Sequence, residues 1–169
     1  PSVAPKQDRV IPECYPLSRR VAIVAPPAIS RTTIASVTTM GYKLDITENE
    51  NYITATLTGV RRPSNLLEAA AETTAYCVDK GIHHVFVDIR GMSGELGTTE
   101  TYEVAGQGIP DQPNTRRLIR SAVVDRPENL LRIRFFETVA IIRGLTIKVF
   151  DDDDEAVRWL LADHPSEKG

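Results

Sequence analysis

The sequence predicts one α/β domain, built on a mixed β-sheet of about five strands flanked by about four helices in the order ββαβαβαβα. Two adjoining stretches that resemble a β-hairpin come first. Apolar, strand-like runs then alternate with stretches of helical periodicity. Glycine or proline stands at most of the boundaries. With 169 residues, the chain is long enough to bury a core.

In the predicted hairpin, Leu44 and Ile46 alternate with polar neighbours, Glu50 and Asn51 form the turn, and residues 52–57 form the second strand. A β-branched composition favours this second run as a strand. The hairpin therefore begins the regular part of the domain.

The first helix is predicted over Asn65–Lys80, because Ser64 can accept a hydrogen bond from the first turn and Gly81 can end the helix. The residues at helical spacing form its expected inward face: Leu67, Ala70 or Ala71, Thr74 and Val78. Residues 82–89 follow as a nearly unbroken apolar run, which is typical of a strand covered on both faces. We therefore expect this strand at the centre of the sheet.

After a glycine-rich loop, Thr98 or Thr99 can cap a second helix that ends near Pro110. Its expected inward residues are Tyr102, Ala105 and Ile109. The next strand is predicted over residues 118–124.

Pro127 opens the third helix, and Gly144 ends it. One inward stripe is expected on this helix: Leu131, Phe135, Val139 and Ile142. The last strand covers residues 145–150, and four aspartates, 151–154, precede the last helix. These aspartates are interpreted as a capping run that complements the helix dipole, with a metal site as the alternative. The inward residues of the last helix are Ala156, Trp159 and Leu160.

The N-terminal part of the chain has a different composition. Six of the eleven prolines fall in residues 1–27, where they oppose both helix and central strand. We therefore divide the chain into a proline-rich arm or leader (1–39), a domain that starts at Met40 (40–163) and a polar tail (164–169). Two hypotheses remain for the arm: a disordered leader, or an extension whose residues 21–24 add to a sheet edge.

Charge and composition narrow the classes of partner. The net charge is -3, with +3 in residues 1–40 and -6 in the remainder, which argues against a nucleic-acid partner. No apolar run approaches the roughly 20 residues that span a bilayer, so no integral membrane association is expected. Cys14 and Cys77 show no metal-binding spacing, which favours free thiols in a reducing, cytoplasmic compartment.

The sequence contains no motif that specifies catalysis. His83 and His84 are neighbours on a strand, so their side chains point to opposite faces and cannot share a metal. A nucleophile elbow and a P-loop are both absent from the sequence. We therefore expect no catalytic residue, no cofactor and no metal.

The glycine-rich stretch over residues 88–98 is the predicted site. It joins the carboxyl end of the central strand to a helix start, where ligands and anions tend to bind in α/β sheets. Asp88 and Arg90 lie on the same side of the strand, so they form either an internal ion pair or part of a ligand site.

The order of elements, together with residues 85–90, 135–144 and 149–160, resembles the SpoIIAA-like, SEC14-related branch of the STAS superfamily. The resemblance covers about Tyr42 to Leu161. In the anti-sigma-factor antagonists of this superfamily it implies a phospho-acceptor at the start of the second helix, a position that Thr98 occupies here. The flanking residues of this chain differ from the antagonist motif.

The SEC14-related side of the resemblance implies a small apolar or lipid-like ligand in the crevice between the sheet and the second and third helices. The residues that would line it are Tyr102, Phe135, Phe136 and Arg143.

Two functions are thus expected. The first is a non-enzymatic regulatory or protein-interaction module whose partner binds the surface from Arg90 to Tyr102. The alternative is a binding domain for a small apolar ligand. An enzyme would have to use Asp88, Arg90 or Glu137. A homodimer through the exposed hairpin edge is also possible.

Overall fold

The computed structural model describes residues 33–107 and 119–162. Within them lies a six-stranded sheet with the strands in sequence order. The strands are β1 (Thr33–Thr38), β2 (Tyr42–Glu48), β3 (Ile53–Val60), β4 (His84–Ser93), β5 (Arg120–Val124) and β6 (Thr146–Phe150). The helices are α1 (Pro63–Lys80), α2 (Thr98–Gln107), α3 (Leu130–Ile142) and α4 (Asp153–Leu161). A short 3-10 turn, Pro127–Asn129, precedes α3.

The sheet is mixed. Strands β1, β2 and β3 pair antiparallel, whereas β3, β4, β5 and β6 pair parallel. Each parallel connection contains one of the described helices α1, α2 and α3, and right-handed crossovers between neighbouring strands in sequence order place these helices on the same face. The predicted order ββαβαβαβα, with the predicted central strand near the middle of the sheet, is confirmed from Tyr42 onward.

The core has a part on each face of the sheet. The larger part joins α1 and α3 to the sheet through side chains such as Leu44, Ile53, Cys77, Val85 and Ile133. The smaller part places α4 on the opposite face and contains Phe86, Ala122, Val124, Ala156 and Leu160. Along β4, alternate residues therefore serve different layers, as the apolar composition of this strand predicts.

The strand count differs from the predicted five. The additional strand is β1, which pairs with β2 from Thr33↔Thr47 to Thr38↔Lys43. Its residues lie before Met40, in the segment that the sequence assigned to the arm. Threonine and serine dominate this strand, and its side chains are exposed or half-buried, so it lacks the apolar alternation that reveals a strand. The predicted edge extension at 21–24 and the polar tail lie outside the described residues.

The predicted face of α1 was wrong in part. Its buried residues are Asn65, Ala69, Thr73, Thr74 and Cys77, whereas Val78 is exposed. Small alanine and threonine side chains surround this helix, so its apolar periodicity selects a face only weakly.

The predicted stripe on α3 was also wrong in part, since of its four residues only Val139 is buried. Leu131 is 85% exposed and Ile142 is 78% exposed, whereas Ile133, Val139 and Ala140 are the buried residues. The helix is apolar on most of its circumference, which removes the periodic signal. On α2, Ala105 is buried as predicted, but Tyr102 is 53% exposed.

Two further boundaries differ from the prediction. Strand β4 runs on to Ser93, so Gly91 lies within the strand and not in the loop. A Cβ at Gly91 would lie 2.6 Å from the methyl group of Thr58, so the close approach of β3 explains this glycine. At the start of α4, Asp152 accepts a hydrogen bond from the Glu155 amide at 2.8 Å, as the capping interpretation predicts.

No helix in the described part of the chain has the length and apolar character needed to cross a membrane.

Candidate functional site

A cavity of about 180 Å³ lies between the sheet and the helices α1, α2 and α3. Its wall is predominantly apolar. Residues from strands and helices line it, among them Leu57, Ala70, Val85, Val104, Phe136 and Ile147. Protein interiors are close-packed and seldom contain voids much larger than a water molecule, so a space of this size is a candidate binding site.

Small side chains on α1 and β5 leave this space open. On α1, four of the six residues that line the cavity are small, namely Ala69, Ala70, Thr73 and Thr74, and Ser121 lies opposite on β5. None of these side chains is long enough to fill the distance between a helix and the sheet. The small side chains of α1 thus leave the cavity open. They are also the side chains whose weak apolar periodicity made the buried face of α1 hard to predict.

A buried ion pair borders the cavity. Nη1 of Arg61, a residue that lines the cavity, lies 2.8 Å from Oδ2 of Asp125. The Arg61 side chain is 9% exposed and Asp125 is fully buried. Oδ1 of Asp125 accepts hydrogen bonds from the Arg126 amide at 2.8 Å and from Asn129 Nδ2 at 3.0 Å. Every oxygen of this carboxylate therefore has a partner, which a buried charge requires.

The topology of the sheet brings this pair together. Arg61 follows directly on the carboxyl end of β3, and Asp125 follows directly on the carboxyl end of β5. Strand β4 lies between them, and its Ile89 carbonyl accepts a hydrogen bond from Arg61 Nη2 at 3.3 Å. The pair thus spans the edge of the sheet where ligands of open α/β proteins bind.

A shallow depression forms the outer end of the cavity. Residues 95–98, Thr101, Arg132 and Phe135 line it, and four of these residues also line the cavity: Glu95, Leu96, Thr101 and Arg132. Glu95 and Arg132 form a salt bridge across this end. The predicted site therefore contains the mouth of the cavity, at the loop between β4 and α2.

The structure separates the predicted site residues into different places. Asp88 and Arg90 lie on the opposite face from the cavity, where Arg90 binds Asp88 at 2.8 Å and Asp153 of α4 at 3.0 Å. Burial alone would raise the pKa of Asp88, but the hydrogen bonds from Arg90 keep it below its usual value. The ion-pair interpretation of these two residues agrees with this geometry, and neither of them lines the cavity.

The aromatic residues are divided as well. Phe136 lines the cavity, whereas Phe135 lines the outer depression. Tyr102 lies on the surface, and the guanidinium of Arg143 stacks on its ring at 4.9 Å from the centroid. Thr98 is exposed at the first position of α2 and lines the depression. Of the four residues that the resemblance names, only Phe136 thus lines the cavity.

The surroundings of Cys77 and Glu137 determine the chemical state of the first side chain and the contact of the second. Cys77 lines the cavity, and burial raises the pKa of its thiol to about 11, so the thiol is protonated and weakly nucleophilic at neutral pH. Glu137 accepts a hydrogen bond from the Val149 amide at 2.7 Å, which ties α3 to β6.

Sequence reasoning missed Arg61, Asp125 and the pair formed by Glu95 and Arg132. One signal could have found the first two: a charged residue directly after each of two parallel strands. The contact joins residues 64 positions apart, and neither residue belongs to a recognisable motif.

Comparison with solved structures finds seven similar chains, and two of them are named here. One is an anti-sigma factor antagonist from Mycobacterium paratuberculosis, at 10% identity and a TM-score of 0.49, over 73% of this chain and 98% of that chain. The other is an uncharacterized protein from the DUF3478 family with a SpoIIAA-like fold, from Shewanella loihica, at 18% identity and a TM-score of 0.46, over 75% of this chain and 98% of that chain. No protein-family model and no curated protein matches the sequence. Each of these likenesses concerns the fold alone.

Proposed function

We propose that the chain is a binding domain for a small apolar molecule, held in the cavity beneath α1, α2 and α3. The observation that carries this proposal is the cavity itself, which is apolar, is bordered by few polar groups and ends at a surface depression. These are the properties of ligand sites in general. The charged groups that border it, the pair Arg61 and Asp125 and the pair Glu95 and Arg132, neutralise each other.

The volume of the cavity restricts the size of the ligand. A cavity of roughly 150 Å³ in another protein binds benzene, whereas sites for drug-sized ligands measure roughly 300–1,000 Å³. At about 180 Å³, this cavity suits one ring with a short substituent. A complete phospholipid is far larger than this cavity, so a ring-sized molecule fits the site and a whole lipid does not.

Filling the cavity tests this function. We expect Ala70→Phe, which places a ring in the cavity from α1, to abolish binding of cumene (isopropylbenzene). In the unchanged chain, cumene at ten times its Kd should stabilise the fold by about 1.4 kcal/mol and raise Tm by roughly 3–6 °C. The measurement is thermal unfolding with and without cumene, together with saturation-transfer NMR of the ligand.

The matched control is Ala71→Phe. Ala71 is the next residue on α1, is exposed and does not line the cavity. This variant should bind cumene as the unchanged chain does. Cumene binding that survives Ala70→Phe undiminished would place the ligand elsewhere and contradict the proposal.

A second candidate function is protein interaction, which one observation favours. Leu131, Phe135 and Ile142 lie along one side of α3 and are exposed, next to the exposed Tyr102 of α2. Contiguous exposed apolar side chains often mark interaction sites. In a two-fold symmetric dimer, this apolar stripe of α3 would pack against the same stripe of the second subunit. We therefore propose that a second copy of the chain binds here.

We expect the double substitution Leu131→Glu and Ile142→Glu to convert a dimer of the 18.7 kDa chain into a monomer. Two carboxylates on each side of the interface would repel each other and would have to lose their water. Sedimentation velocity at micromolar concentration measures the change. Leu161→Glu, on the exposed side of α4, is the control that should remain a dimer. A monomeric unchanged chain would exclude this candidate.

A further inference from the structure

One buried donor of a residue that lines the cavity has no partner. Nε of Arg61 is buried and makes no hydrogen bond, although both terminal nitrogens of the same guanidinium are bonded. Four side chains in the described ranges contain such an unpaired buried atom, and among these only Arg61 lines the cavity. Buried polar groups are nearly always paired, so an unpaired donor on a residue that borders an open space points to a missing acceptor.

We propose that the ligand of the cavity carries an oxygen acceptor next to its ring and that this oxygen accepts a hydrogen bond from Nε–H of Arg61. The inference rests on the proposed function and specifies the chemistry of the ligand. It assigns to Arg61 a ligand-binding role in addition to its pairing with Asp125.

The acceptor is uncharged. Asp125 already neutralises the guanidinium of Arg61 at 2.8 Å, and this carboxylate is fully buried. A ligand carboxylate beside the same guanidinium would add a second negative charge for one positive charge, in a mainly apolar space. At the mouth, Arg132 is neutralised by Glu95. A ketone, aldehyde, ether or hydroxyl oxygen satisfies Nε–H without this additional charge.

Three probes of equal heavy-atom count separate these possibilities: cumene with no acceptor, acetophenone with a neutral carbonyl, and benzoate with a carboxylate. Because cumene is the more hydrophobic, the informative quantity is the ratio of the cumene Kd to the acetophenone Kd. We compare this ratio between the unchanged chain and the double variant Arg61→Met with Asp125→Asn. This variant removes the donor and both charges together, a replacement that buried ion pairs often tolerate. The asparagine retains an acceptor oxygen for Arg126 and Asn129.

We expect the ratio to fall about 10-fold in the double variant, the effect of one hydrogen bond from a charged donor. In the unchanged chain, the 15N–1H signal of Arg61 Nε should move on addition of acetophenone and stay in place with cumene. The signal is assigned by triple-resonance NMR of the unchanged chain, and the spectrum of the double variant shows whether that variant is folded. If the double variant is unfolded, the response of the Nε signal in the unchanged chain is by itself the test of the inference. Benzoate should bind more weakly than acetophenone.

An unmoved Nε signal on saturation with acetophenone would overturn the inference while the proposed function stands, provided that cumene binds. A water molecule would then be the partner of Nε. Tighter binding of benzoate than of acetophenone would overturn the assignment of an uncharged acceptor. Failure of all three probes to bind would remove the proposed function together with this inference.

Discussion

Replacing Asp125 by alanine should lower the free energy of unfolding by about 3–5 kcal/mol. The substitution leaves the guanidinium of Arg61, 9% exposed, without its counter-charge, and removes the acceptor of Asn129 and of the Arg126 amide. Since a domain has a total stability of about 5–15 kcal/mol, the loss is a large part of the whole. Urea unfolding monitored by circular dichroism measures it.

The second aspartate–arginine pair provides the control. Asp153 binds Arg90 at 3.0 Å, but both side chains are substantially exposed. We expect Asp153→Ala to cost about 1 kcal/mol or less, from a screened ion pair and one charge at the start of α4. Equal effects of Asp125→Ala and Asp153→Ala would mean that Arg61 reaches solvent once its partner is removed.

Alanine at Gly59 should destabilise the hairpin of β2 and β3 by about 2–4 kcal/mol, from backbone strain and collision together. Gly59 has φ of +123°, which L side chains rarely adopt. A Cβ there would lie 2.5 Å from the carbonyl oxygen of Gly41 and 2.7 Å from Cα of Tyr42, so the backbone of β2 would have to move. The same unfolding measurement applies.

Substitution of Gly81 distinguishes the cost of backbone strain from the cost of steric collision. Its φ is +66°, but a Cβ at this position meets nothing within 4 Å. Gly81→Ala therefore reports the cost of the backbone conformation alone, about 1–2 kcal/mol. If both variants lose the same stability, the contact with β2 contributes nothing at Gly59.

The order of strands and helices was predictable because each element has a local signal. Residues 82–89 are apolar on both faces, and the structure places the resulting strand between two parallel neighbours. Asp152 caps α4 as its position predicts. The rotation of α3 was not predictable, since apolar residues surround that helix and only tertiary packing chooses which of them are buried.

The loop at the mouth of the cavity could be predicted from the sequence, but the cavity and its lining residues could not. The glycine-rich loop after β4 was expected to contain the site, and it borders the mouth of the cavity. A cavity, however, is a difference between the space that the backbone encloses and the volume of side chains from several elements. No single stretch of the sequence predicts this difference, because the side chains come from several elements that are distant in the sequence. The contact of Arg61 with Asp125 depends likewise on the position of β3 and β5 on either side of β4.

Helix α4 covers the face of the sheet that carries Phe86, Ala122 and Val124. It begins at Asp153, after all six described strands. During synthesis, the sheet can form one strand at a time. Its apolar face, which α4 covers in the folded domain, stays exposed to solvent until α4 has left the ribosome. A chain that terminates before Asp153 would keep that surface exposed and would be a substrate for chaperones or proteases rather than a smaller working domain.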